Sequence, residues 1–231
     1  MTPLSASHVS RTRQHTAIAA LFDVDNTLLP GQASEVRFFR FLWRHGLVGW
    51  RELWESAEWL LRQTPPVSLH PLRVRKLYLA GKAVADIESL AEAFCRAEIF
   101  PRLSAQGLSR MDEHRRAGHH TVLVTGSLEF LMAPLAALLE VSTLLAARLD
   151  QQHRRFTGQV CAPLPYGPGK RDLISQFTQE FCIDLARSYA YGDSPGDVEL
   201  LHMVGHPLVV NPVRGMAAIA RRNGWPVATW K

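Results

Sequence analysis

Apolar residues fall along this chain in two rhythms. The unbroken run Ala17-Ile-Ala-Ala-Leu-Phe22 reads as a short strand buried on both faces. Beyond the Pro30-Gly31 break the spacing changes to threes and fours. Phe38, Phe39, Leu42 and Trp43 predict a helix over 33–45, and Trp50, Leu53, Trp54, Ala57, Leu60 and Leu61 a second over 49–63. Gly46 and Gly49 separate the two, and Pro65-Pro66 ends the second. Two more helices are predicted at 70–80 and 84–98, bounded by Gly81 and Pro101. Four of the six tryptophans fall between 43 and 59, and their helical spacing predicts the core of a small bundle.

From residue 102 onward strands and helices alternate. A helix over 102–117 leads through Gly118 to the apolar strand 121–125. There follow a helix over 128–140, a strand at 143–147 and a polar hairpin across 151–160. A helix over 170–182, a strand at 188–191, a short helix from Asp197, a strand at 207–211, a helix over 213–223 and a last strand at 226–229 complete the order. Strands separated by helices mean an α/β fold with a parallel sheet. The expected division is a flexible tail over 1–16, a core over 17–30 and 102–231, and a separate helical domain over 31–101.

Composition narrows the class. The 231 residues suffice for one core with a modest insert, and 47% hydrophobic with 20% charged is a globular balance. The net charge of +5 comes from scattered residues, without the basic, aromatic-interleaved stripe of a nucleic-acid binder. It gives either a mildly basic surface or a field that attracts anionic substrates. Cys95, Cys161 and Cys182 show no metal-binding spacing and read as reduced thiols of a cytoplasmic protein. No apolar stretch approaches the ~20 residues of an integral membrane segment. The acid-free first sixteen residues lack a signal-peptide apolar segment, leaving a frayed tail or an organellar presequence. His119-His120 read as exposed loop residues, and the oligomeric state is not legible.

The chemistry sits where the strands end. Asp23-Val-Asp25-Asn26-Thr27 follows the first strand, and its two carboxylates, two residues apart, are expected on one side. Carboxylates so placed repel unless a cation such as Mg²⁺ lies between them, and one of them can serve as a nucleophile. The strand at 121–125 ends in Thr125-Gly126-Ser127, Lys170 opens a helix after Pro168-Gly169, and Gly192-Asp193-Ser194-Pro195-Gly196-Asp197 follows another strand. Ligands of open α/β sheets bind at such carboxyl ends. Taken singly, Thr125 reads equally as a helix cap, Lys170 as a solvated lysine, and Asp193 and Asp197 as turn acids.

In this order the four stretches resemble the haloacid dehalogenase-like phosphohydrolases. The DxDxT motif is Asp23 to Thr27, the strand ending in Thr is Val122 to Thr125, the lone basic residue is Lys170, and GDSxxD is Gly192 to Asp197. The resemblance covers 17–213, and the helical insert is similar to the small cap of the phosphoserine phosphatase-like subgroup. It implies a Rossmann-like sheet under a helical cap. It also implies a Mg²⁺-dependent phosphatase that works on a small phosphorylated metabolite through an aspartyl-phosphate. Asp23 is then the nucleophile and Asp25 the general acid and base. Asp23, Asp25 through its backbone carbonyl, and Asp193 hold Mg²⁺, with Asp197 supporting. Thr125, Gly126 and Lys170 bind the phosphoryl oxygens, while Thr27 and Ser194 support the loops.

Phosphoserine phosphatases carry an acid shortly after the first motif. Nine residues after Asp23 this chain has Gln32, and a neutral amide cannot pair with a substrate ammonium. Glu35, one turn on, is expected to be a solvated acid, and Arg73, Arg75 and Lys76 surface charges. Four alternatives stay open. They are the same chemistry on a lipid phosphate at a membrane, with the tryptophans touching it; a metal-dependent glycosyltransferase reading Asp-x-Asp; a receiver module, which is far shorter; and a non-catalytic phosphometabolite-binding module.

Overall fold

The computed structural model describes residues 16–62 and 73–231. The expected tail therefore lies outside the described residues except for Thr16, as do the Pro65-Pro66 stop and the start of the helix expected at 70.

Six strands form one parallel sheet: β1 (Ala19–Phe22), β2 (His120–Leu128), β3 (Thr143–Ala147), β6 (Tyr189–Gly192), β7 (His206–Val210) and β8 (Val227–Ala228). Their order is β3-β2-β1-β6-β7-β8, which puts β1 at the centre. All four β1 residues are buried, Ala20 and Phe22 into one apolar cluster and Ala19 and Leu21 into the other. The run of small and large apolar residues thus belongs to a strand covered on both faces. The hairpin β4 (Leu149–Gln152) and β5 (Arg155–Val160) is a separate antiparallel pair.

Between β1 and β2 the chain makes a helical insertion: α1 (Ser34–Arg44), α2 (Trp50–Arg62) and α3 (Val84–Phe94), followed by a wider turn over Cys95–Ile99. The core helices are α4 (Ala105–Arg116), α5 (Glu129–Leu138), α6 (Pro168–Glu180), α7 (Val198–Met203) and α8 (Met216–Asn223). Phe38, Leu42, Ile87 and Phe94 of the insertion share one contiguous apolar cluster with Phe22, Leu131 and Leu135. The insertion is thereby fastened to the sheet by hydrophobic burial along one face.

Three expectations change. The helix over 70–80 is, in its described part, helical only at Arg73 and Val74; the chain then leaves the helix at Arg75 and makes a 3-10 turn at Leu77–Leu79. Its flanks run along β5 instead, Lys76 N donating to Gly158 O at 2.7 Å and Val84 N to Arg154 O at 3.0 Å. The free edge of the hairpin supplies backbone partners that outcompete a short helix. The tryptophans are not all core: Trp50 is 78% and Trp54 74% exposed. α2 packs one layer out, against the turn at 77–79, and nothing among the described residues covers its outer face. His119 and His120 are half-buried rather than exposed. His120 opens β2 beside Ala19, and His119 Nδ1 lies 2.8 Å from Nδ1 of the buried His114.

Candidate active site

The loop after β1 turns on Asn26, whose φ of 59° lies in the left-handed region that asparagine tolerates better than most residues. That turn lets Leu29 N donate to Val24 O at 2.9 Å and Asn26 N to Leu29 O at 2.8 Å. It also aims the Asn26 amide across the sheet, where Nδ2 donates to Asp193 Oδ2 and to Asn211 O, both at 2.9 Å. Asn211 Nδ2 returns a bond to Asn26 O at 2.8 Å, tying the end of β7 to the loop.

Asp23 and Asp25 part company here. β1 ends at Phe22, so the strict alternation that would put both carboxylates at one point does not extend to them. Asp23 faces Lys170, whose Nζ donates to Asp23 Oδ1 at 2.7 Å, to Asp197 Oδ1 at 2.5 Å and to Val124 O at 3.0 Å. Asp25 is held elsewhere: Oδ1 accepts from Ser34 N at 2.7 Å, and Oδ2 from Ser127 Oγ at 2.8 Å and Ser34 Oγ at 3.2 Å. Ser34 heads α1 and Ser127 follows Thr125-Gly126, so the insertion and the second strand end together fix this carboxylate.

The clustered carboxylates are Asp23, Asp193 and Asp197, each offering an oxygen within 4.8 Å of the others, all buried. Gly192 makes the crowding possible, since a Cβ there would lie 2.6 Å from Asp197 Cβ. Asp197 is saturated: besides Lys170, its Oδ2 accepts from Ser194 Oγ at 2.8 Å, Ser194 N at 3.1 Å and Asp193 N at 3.3 Å. Burial, and then the charges of Asp197 and Asp193, push the Asp23 carboxyl well up, against the pull of Lys170. Burial likewise lifts Asp193 to about 6 despite the Asn26 bond. Burial alone would lower Lys170, but Asp197 and Asp23 hold its ammonium above the usual range. This all-oxygen, negatively charged donor set suits a hard divalent cation, which would offset the repulsion.

A 390 Å³ cavity opens over the cluster, lined by Asp23, Asp25, Thr125, Gly126, Lys170, Asp193, Ser194 and Asp197. Eight of the nine residues singled out from the sequence thus meet in one space. The ninth, Thr27, is buried beneath the loop, its Oγ1 without a hydrogen-bond partner among the described residues. Lys170 is buried, not a solvated first-turn lysine, and Thr125 Oγ1 accepts from Ser127 N at 3.1 Å. Gln32 lies off the cavity, its side chain bonded to Arg40. Glu35 is not a solvated acid and Lys76 is not a surface charge: they form a 2.5 Å ion pair in the cavity wall. Burial there raises the Glu35 carboxyl, opposed by Lys76. Arg73 also lines the cavity, 3.5 Å over the ring of Tyr166. Ser34, Ser127, Asn211 and Tyr166 are site residues that the motifs did not single out. Ser127 and Asn211 stood at strand ends, where a polar residue was the available signal; Ser34 and Tyr166 gave none.

This fold and this strand-end cluster define a class, and the comparisons agree: the family model for haloacid dehalogenase-like hydrolases matches residues 20–202, and the chain belongs to that family. It is a HAD-like phosphatase, a phosphoric monoester hydrolase. A histidinol-phosphatase of Neisseria meningitidis is 29% identical over 219 residues, covering 92% of this chain and 98% of its own. A probable phosphatase of Mycobacterium tuberculosis is 29% identical over 224 residues, 95% of this chain and 77% of that protein. A Bordetella pertussis protein of unknown function superposes with a TM-score of 0.79 at 29% identity, covering 92% of this chain and 98% of its own. Among the described residues no helix is long and apolar enough to cross a membrane.

Proposed function

We propose that this chain is a Mg²⁺-dependent phosphatase that hydrolyses a small phosphomonoester through an aspartyl-phosphate on Asp23. The observation that carries the reading is the meeting of Asp23, Asp193 and Asp197 around Lys170 at the carboxyl end of the sheet, beneath a cavity that Asp25 and Thr125 also line. Asp23 and Asp193, with the backbone carbonyl of Asp25, would hold the metal, and the saturated Asp197 would fix their positions. Bound Mg²⁺ supplies positive charge against the phosphoryl oxygens.

The chain's own groups then divide the work. The Asp23 carboxylate, paired with Lys170, attacks phosphorus in line; an O–P bond forms as the bond to the leaving oxygen breaks. Asp25, steadied by Ser34 and Ser127, gives that oxygen a proton. It then takes one from the water that cleaves the aspartyl-phosphate, which returns Asp23 and releases phosphate. The Thr125 hydroxyl, the Gly126 N–H and the Lys170 ammonium steady the phosphoryl oxygens. The segment over 31–101 serves as the cap, since Glu35, Arg73 and Lys76 wall the cavity from that side.

Family membership argues against the glycosyltransferase reading of Asp-x-Asp. Relatives named histidinol-phosphatase and phosphoserine phosphatase act on phosphomonoesters that carry an ammonium. In this chain Gln32 is off the cavity and Glu35 is already paired with Lys76, so an ammonium-bearing substrate would have to displace Lys76 from that acid. A second reading, the same chemistry on a lipid phosphate, draws support from the exposure of Trp50 and Trp54. The test is phosphate release from a panel of soluble esters with and without Mg²⁺, with Asp23→Asn as the blank. We expect metal-dependent turnover lost by at least about a thousandfold in the variant, some 4 kcal/mol of barrier. Turnover that survives in a folded Asp23→Asn enzyme would overturn the assignment.

A further inference from the structure

The cavity has a neighbour. Glu35, Val36 and Lys76, which line it, also line one end of a second space of 300 Å³. That groove is walled mostly by apolar side chains, Phe39, Leu53, Leu77 and Tyr78 with Val36. Its far end adjoins a third hollow of 340 Å³, which shares Phe39 and Leu53 and carries Trp43 and Trp50. Each space thus shares lining residues with the next, from the carboxylate cluster to Trp50 on the exposed face of α2. Val36 is 44% exposed, an apolar side chain left open at the junction. The junction also holds an anomaly. The Tyr78 hydroxyl is buried with no hydrogen-bond partner among the described residues, close enough to Glu35 to feel its charge. A buried, unbonded hydroxyl is costly and rare in a finished protein interior.

An apolar groove that starts at a phosphate-binding cavity has a specific use. The phosphoryl group is anchored by charge at one end, so whatever is esterified to it extends into the adjoining space. The adjoining groove is hydrophobic, and each methylene laid in it gains favourable transfer from water. A compact polar alcohol would leave the groove wet. A polar link a few atoms from the phosphorus would meet the Glu35–Lys76 pair at the junction.

We infer that the groove lined by Val36, Phe39, Leu53, Leu77 and Tyr78 takes the leaving group of the substrate, and that this leaving group carries an apolar chain. The inference rests on the phosphatase reading of the cavity and names the class of ester: an amphiphilic phosphomonoester whose chain runs toward Trp43 and Trp50. The occupant is the substrate's own tail, because the groove shares Glu35, Val36 and Lys76 with the cavity that binds its head.

The experiment is a chain-length series of ethyl, butyl and octyl phosphate, each kept below its micelle concentration, with Mg²⁺ present. We expect kcat/KM to rise at least about tenfold from ethyl to octyl, and Leu53→Asp to bring that ratio close to one. Inhibition by octylphosphonate against ethylphosphonate on the unaltered enzyme gives the same comparison without a variant, and should favour the long chain by a similar factor. Equal kcat/KM across the series, or a rise that Leu53→Asp leaves in place, would overturn the inference while the phosphatase reading stands. Absence of Mg²⁺-dependent turnover of all three esters and of the wider soluble panel would overturn the reading beneath it, and the inference with it.

Discussion

Two buried polar clusters share residue Tyr191 and have opposite characters. Its backbone carbonyl accepts from Asp23 N at 2.9 Å, while its hydroxyl lies 2.7 Å from Nε2 of His114, on the face of the sheet covered by α4. Around Asp23 three carboxylates face one buried lysine, two charges short of balance when all are ionised. Around His114 the groups are neutral: both imidazole nitrogens are engaged, by Tyr191 and His119, and Tyr189 packs 4.6 Å from the ring. The second cluster is complete as folded. The first is not, and an incompletely balanced set of buried charges at the mouth of a sheet is the mark of a site that binds something.

The comparison is broken most severely at Lys170. Replacing it with Met leaves Asp23 and Asp197 buried without their cation, and removal of one partner of such a cluster costs about 3–5 kcal/mol. Urea unfolding should show that loss in metal-free buffer. Mg²⁺ should raise the variant's midpoint more than it raises the unaltered protein's, because ligand that binds only the folded form adds stability by mass action. A variant as stable as the parent without metal would mean that the charges around Asp23 are balanced some other way.

The neutral cluster should fail through protons rather than metal. Burial, with the charges of His119 and Arg110 adding to it, holds the His114 pKa down to about 4 from an ordinary 6.5. The folded protein then binds fewer protons than the unfolded chain. The stability from this group is full above about pH 6.5 and is lost as the pH falls toward 4. Loss of about 2 kcal/mol across that window is expected, and His114→Gln should flatten the profile. An unchanged slope in the variant would remove His114 from the account. Asp193, lifted to about 6, and Asp23, pushed well up, take up protons more readily in the folded protein and tilt the profile the other way, so the difference between the two proteins is what must be measured.

The contrast also explains what could be read from the chain. β1, β2 and the succession of strands along the chain were legible because an apolar run between turn residues has few other uses; their order within the sheet was not. Asp23, Lys170, Asp193 and Asp197 were legible because each stands at a strand end or helix start where a ligand must bind. Asp25 was recognised, but not its direction: its partners Ser34 and Ser127 lie 9 and 102 residues away and meet it only after the insertion folds. The insertion itself was misjudged where helical spacing stood in for burial. Trp50 and Trp54 keep the spacing of a core stripe, yet α2 has no outer layer to bury them. Glu35 and Lys76 are 41 residues apart, and their pairing depends on the chain leaving the predicted helix before the turn at 77–79.

The smallest expected effect sharpens the division between Asp23 and Asp25. Ser127→Ala removes one of three donors to the Asp25 carboxylate and leaves Ser34 holding it from the other side. A hydrogen bond to a charged group contributes about 1.5–3 kcal/mol, but the remaining Ser34 bonds and entering water offset part of that. A roughly tenfold fall in kcat is expected, with KM little changed, because the lost bond steadies the proton donor rather than the phosphoryl group. The choice of ester discriminates further. An ester whose leaving alcohol is a good anion without a proton, such as a nitrophenol, should be hurt less than an alkyl phosphate in the step that forms the aspartyl-phosphate. Equal losses on both esters in single-turnover measurements would place Ser127 with the groups that bind the phosphoryl oxygens, and Asp25 would no longer stand apart from the cluster around Asp23.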